Sequence, residues 1–143
     1  MTRASCEPGL IRPGFLLIAG MFLMAGVSKL GDIPGTIGYT ASGGLPGELA
    51  YAAIALEIGA GLAILVGWNT RIAALALAGF SVVAAYLYHF VPAQSAEGMA
   101  AVIEMIMFQK NLAIAGGLLL LAAFGPGAIS LDARRSGAKL AAA

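Results

Sequence analysis

The chain has 143 residues, of which 60% are hydrophobic and 10% charged, with a net charge of +1. A soluble domain carries roughly 25% charged residues. This composition therefore excludes a cytosolic enzyme, a disordered chain and a basic nucleic-acid binder. Glycine is abundant, at 20 residues, while Cys6 and His89 are each the single residue of their type. One cysteine excludes an intrachain disulfide, and one histidine excludes bis-histidine haem ligation and a multi-histidine metal site.

Four apolar stretches follow in chain order, at about residues 13–30, 48–67, 71–90 and 103–124. Each is long enough to cross a hydrocarbon layer of about 30 Å as a helix, and backbone in lipid must satisfy its hydrogen bonds internally. The expected fold is all-α: a four-helix transmembrane bundle forming one integral membrane domain. Arg3 and Arg12 precede the first stretch as in a signal peptide. That stretch is nevertheless read as a retained helix, because no A-x-A site follows it. Pro13 suits a helix start, and Gly31 and Gly67 suit helix ends. Asn69 or Thr70 is placed to cap the third helix. Pro92 is expected to stop the third helix and Gly125-Pro126-Gly127 the fourth.

The connections differ. Residues 68–70 make a tight hairpin. Residues 31–47 read as a long loop rich in glycine and proline, and residues 91–102 are less polar and allow an early start to the fourth helix. With four spans, the termini and the 68–70 turn share one side, which holds six of the eight basic residues: Arg3, Arg12, Arg71, Arg134, Arg135 and Lys139. The positive-inside rule then makes the tails, 1–12 and 125–143, cytoplasmic and the 31–47 loop external. Tyr86, Tyr88 and Phe90 read as an outer aromatic belt. Cys6, in the inner tail, reads as a plain thiol.

Small residues at four-residue spacing let helices approach in lipid. Ala55, Gly59, Ala63 and Gly67 form such a ladder on the second span, and Ala113 and Gly117 on the fourth. They are expected to serve packing inside the bundle or contact with another subunit.

Ionisable groups inside spans are costly and point to function. Glu57 sits near the middle of its helix and needs a partner. Lys29, His89, Glu104, Lys110 and Asn111 all lie towards the outer half of the other helices and complete a candidate ligand or proton site. A Glu57–Lys110 pair joining the second and fourth spans is one expectation. On the fourth span, Glu104, Phe108 and Asn111 share a face, while Gln109 points elsewhere. Tyr86 and His89 are expected to share a face on the third span. No nucleophile elbow, HExxH, P-loop or CxxC is present, so the isolated chain does not read as a complete enzyme, and no metal is expected.

Several segments together resemble the DoxX/DoxD-like family of small bacterial membrane proteins. They are Phe22-Leu23-Met24-Ala25-Gly26-Val27-Ser28-Lys29-Leu30, Gly44-Leu45-Pro46, Leu56-Glu57-Ile58-Gly59-Ala60-Gly61-Leu62 and Gly67-Trp68-Asn69-Thr70-Arg71. Phe108-Gln109-Lys110-Asn111-Leu112 and the run from Gly125 to Asp132 complete the set. The resemblance implies a four-helix bundle in the bacterial inner membrane. Lys29, Glu57, Arg71, Lys110 and Asn111 are the positions that match its polar motifs. It also implies a link to membrane redox processes, such as a subunit of a terminal quinol oxidase or a thiosulfate:quinone oxidoreductase. Quinone is the one cofactor this brings into view. The functional expectation is a subunit or accessory protein of a redox-linked membrane complex, working as a homo-oligomer or with other membrane subunits. Two alternatives stand beside it: a quinone-linked oxidoreductase component binding quinone or thiosulfate at the polar cluster, and an oligomeric carrier of a small solute or protons.

Overall fold

The computed structural model describes residues 8–127 and 130–133, with side chains from Gly14 onward. Arg3, Cys6, Arg134, Arg135, Lys139 and the side chain of Arg12 lie outside the described residues. The elements are α1 (Pro8–Gly31), α2 (Ile33–Ser42), α3 (Leu49–Val66), α4 (Thr70–Ala85), a π-helical segment (Tyr86–Phe90), α5 (Val91–Ala93) and α6 (Gly98–Phe124). No strand occurs among the described residues. Among the described residues four helical stretches are long and apolar enough to cross a membrane: Gly14–Gly31, Leu49–Val66, Thr70–Ala93 and Gly98–Phe124.

The connection expected as a long loop is largely helical. Asp32 caps α2 by accepting a hydrogen bond from the Gly35 amide at 2.9 Å, and Pro34 occupies the first turn, where its missing N–H costs nothing. Those two signals outweigh the unfavourable glycines within the helix.

Pro92 does not stop the third span. A proline in an α-helix removes one hydrogen bond, and its ring crowds the carbonyl four residues back. Here the backbone widens into the π-helical segment, in which the Val91 amide donates to the Tyr86 carbonyl five residues earlier, and the helix runs on to Ala93. The fourth span begins at Gly98, about five residues before the stretch expected from hydropathy.

The bundle is built as two storeys. α1 packs most extensively on α3, and α4 on α6, with α3 and α4 joining the two pairs. Around the 68–70 turn the packing is tight. Ala19, Ile64, Ala74, Leu77 and Leu118 are all buried there, and the many alanines let the backbones approach. Gly67 ends α3 in the left-handed region (φ 71°), with Trp68 donating to Ala63 and Gly67 to Ile64, a Schellman motif.

The start of α4 is capped from far along the chain. Neither Asn69 nor Thr70 caps it with its own side chain. The Asp132 carboxylate accepts from the Asn69 amide at 2.8 Å and the Thr70 amide at 3.0 Å, while the Asp132 amide donates to the Gly67 carbonyl. A side chain at Gly67 would run into Ser130 of the same segment.

Candidate functional site

The storey away from the turn is hollow. A cavity of about 490 Å³ lies between all four spans and under α2, within the size range of small-molecule sites. Its lining includes exposed residues, Met21 and Lys110 on α1 and α6 and Ala52 and Val83 on α3 and α4.

Glu57 is the buried charge in its wall. It lies in the middle of α3 with its side chain 4% exposed, and Lys29 reaches both of its carboxylate oxygens, at 2.8 and 2.7 Å. The Lys29 side chain stays 28% exposed. The pair forms because α1 and α3 approach closely at two glycines. A Cβ on Gly26 would come within 2.6 Å of the Ile58 side chain and 3.4 Å of the Glu57 Cβ, and one on Gly61 within 3.1 Å of Leu23. Lys29 follows Gly26 by three residues, so both lie on the face turned to α3.

Glu57 therefore takes Lys29 and not Lys110 as its partner. The Lys110 amine donates instead to the Met107 sulfur at 3.2 Å, and the Asn111 side-chain amide donates to the Met107 carbonyl at 3.0 Å. Lys110 and Asn111 both line the cavity, while Gln109 is exposed and outside its lining. The early start of α6 places Lys110 twelve residues after the helix's beginning.

His89 lines the cavity, and its Nδ1 lies 2.8 Å from the Glu104 carboxylate on α6. The π-helical segment separates it from Tyr86, which is exposed and stacks on Phe90 at 5.6 Å. Tyr88 is partly buried and turned to α2. It stacks on Tyr39 at 4.6 Å, donates to the Thr40 carbonyl at 3.0 Å and packs on Gly43, so it pins α2 over the cavity. Partial burial, then the Glu104 carboxylate and Tyr88, hold the Tyr39 hydroxyl above the ordinary tyrosine range. Tyr39, Tyr88 and Thr40 were not among the candidates. The loop reading of residues 31–47 hid the helix that carries two of them.

Of the small-residue ladder, Ala63 and Gly67 are buried while Ala55 and Gly59 are exposed. Gly59 has open space around it. On α6, Ala113 is exposed, and Gly117 faces Ile18 at ordinary contact distance. The ladder thus points two ways: one end inward, the other to the outer surface. Among the described residues no group of three or more histidine, cysteine, aspartate or glutamate side chains could hold a metal.

Four apolar spans around a partly polar cavity define a polytopic membrane protein of the small four-helix class. Residues 13–90 match the DoxX family, and the chain belongs to it. It is 44% identical over 117 residues to the inner membrane protein YqjF of Escherichia coli K12, covering 82% of this chain and 85% of that protein. It is 37% identical over 133 residues to the inner membrane protein YphA of the same strain, covering 88% and 94%. No solved structure matches.

Proposed function

We propose that this chain is a small inner-membrane subunit that binds a lipid-soluble ligand with a polar head, of the quinone class, and serves a redox-linked membrane complex. The observation that carries this is the cavity itself. It has a largely apolar lining, lining residues exposed on the spans, and a Lys29–Glu57 pair in its wall. A quinone-class head needs donors for its carbonyl oxygens. Lys29 and Lys110 supply them, while the apolar remainder suits the ring and the start of a tail. The residues present therefore fit the group. Its own chemistry would be electron transfer; the chain's part is to admit, orient and hydrogen-bond it.

The test is solvent extraction of the protein purified in mild detergent, with quantification of quinones per chain, followed by titration with a short-tailed quinone analogue. Wild type is expected to carry or take up about one molecule per chain, and Ala84→Trp, which fills the cavity, to lose it. No saturable binding to wild type would overturn the reading.

Assembly with further subunits is part of the same proposal. Ala55 and Gly59 offer a close-approach surface on the outside of α3. Native mass measurement after detergent extraction checks it: a lone monomer with no co-purifying chain would count against it. The basic bias of the tails supports cytoplasmic termini. As the single thiol, Cys6 should then resist a membrane-impermeant maleimide in intact cells and react in inverted vesicles.

A further inference from the structure

One charge in the cavity lining is left over. Lys29 and Glu57 neutralise each other, and His89 faces Glu104. Among the described residues Lys110 has only the Met107 sulfur, a weak acceptor, and no carboxylate lies within 4.0 Å of it. It sits twelve residues after the start of α6 and fourteen before its end. At 1.5 Å per residue, those are distances of about 18 and about 21 Å. That is deeper than a four-carbon stem can relieve by reaching towards either headgroup layer. A bare ammonium at such depth is strongly disfavoured unless something pairs with it. Lys110 is exposed, and it belongs to the cavity lining.

We infer that the cavity takes an anionic amphiphile: a bilayer-soluble molecule whose negatively charged head rests against Lys110 and whose apolar body fills the space towards Phe80 and Leu56. This rests on the reading of the cavity as a ligand site and names the charge of what enters it. Glu57 in the wall does not oppose an anion, because Lys29 holds both of its oxygens. The lining keeps one positive charge in excess, and a ligand with one negative charge removes it. A neutral head, such as that of a quinone, can accept a hydrogen bond from Lys110 but leaves its charge uncompensated.

The experiment uses the full chain in nanodiscs of zwitterionic phosphatidylcholine, so that no anionic lipid competes. The probes are a fluorescent long-chain fatty acid and its methyl ester, identical but for the charge. Wild type should bind the acid about tenfold more tightly than the ester, the scale of one charge-assisted hydrogen bond. Lys110→Met should abolish that preference, and Lys110→Arg should keep it. Thermal unfolding of the Lys110→Met protein should be unimpaired, since an apolar side chain there suits lipid. Phosphatidylglycerol added to the nanodiscs separates two sources of the anion. Displacement of the acid assigns the site to an anionic phospholipid head, and no displacement assigns it to a free organic acid; either supports an anion. Equal binding of acid and ester to wild type, with the quinone analogue still bound, overturns this inference and leaves the ligand site standing. An acid preference that survives in Lys110→Met also overturns it. If acid, ester and quinone analogue all fail to bind, the reading of the cavity as a ligand site falls, and this inference with it.

Discussion

Lys29 holds Glu57 through both carboxylate oxygens, yet the two partners are unequally placed: the lysine is partly exposed and the glutamate is almost wholly enclosed. The inequality decides what each substitution does. Removing one member of a buried pair typically costs about 3–5 kcal/mol, because the other charge is stranded. Lys29→Met strands an enclosed carboxylate and should reach that range. Glu57→Gln leaves a lysine at the end of α1 that can turn towards the headgroups, and should cost about 1 kcal/mol, the scale of a lost hydrogen bond. The double variant Lys29→Met with Glu57→Leu should recover most of the loss. Thermal or denaturant unfolding in detergent ranks the three; equal losses from the two single variants would show that the pair is not held as described.

Gly26 is the point at which α1 comes close enough to α3 for that pair to form. A Cβ there meets Ile58 at 2.6 Å, whereas one on Gly59 meets nothing within 4 Å. Gly26→Val should therefore push the helices apart and cost about 1–3 kcal/mol, the usual range for overpacking. Gly59→Val should leave the isolated chain's stability nearly unchanged. If Gly59 lies at a contact with another subunit, its valine variant should instead weaken the assembly, seen as a lower native mass at unchanged thermal stability.

The spans were legible because lipid demands long apolar runs, and Gly67 and Gly125 stand where the backbone turns left-handed, at φ 71° and 82°. Glu57 was legible as a site because a mid-span carboxylate has no bland explanation. Its partner was not. Lys29, His89 and Lys110 all satisfy the charge rule, and only the close approach at Gly26 selects Lys29. The glycine and proline of residues 31–47 signal turns, and they masked a helix whose start rests on Asp32 and Pro34. Pro92 signals a stop, and the widened backbone before it let the helix continue. The Asp132 cap spans 62 residues of sequence to Thr70, and no local pattern announces it.

Asp132 closes the tight storey by occupying two amides that α4 would otherwise leave open. Asp132→Ala should cost about 1 kcal/mol, up to about 2, as loss of a helix cap does. Asp132→Asn, which keeps one acceptor oxygen, should cost less. The loss should be local: hydrogen exchange should quicken at the Asn69 and Thr70 amides and stay unchanged in α2. A uniform increase across all four spans would mean that the C-terminal segment supports the whole bundle.

Tyr88 holds α2 in place by three separate contacts: the ring stack on Tyr39, the hydroxyl bond to the Thr40 carbonyl, and packing on Gly43. Tyr88→Phe removes only the hydroxyl bond and should cost about 0.5–1.5 kcal/mol. Tyr88→Ala removes all three and should free α2 while the spans stay folded, because Tyr88 lies outside the buried core. Hydrogen exchange reads the difference directly. Residues 33–42 should exchange much faster in the alanine variant and slightly faster in the phenylalanine variant, with the Leu77 and Leu118 regions unchanged. Since α2 roofs the cavity, a ligand in it should also leave faster when α2 is loose. The expected signature is a raised dissociation rate for the quinone analogue at little change in association rate, and an unchanged dissociation rate with demonstrably mobile α2 would show that ligands enter and leave only from the sides.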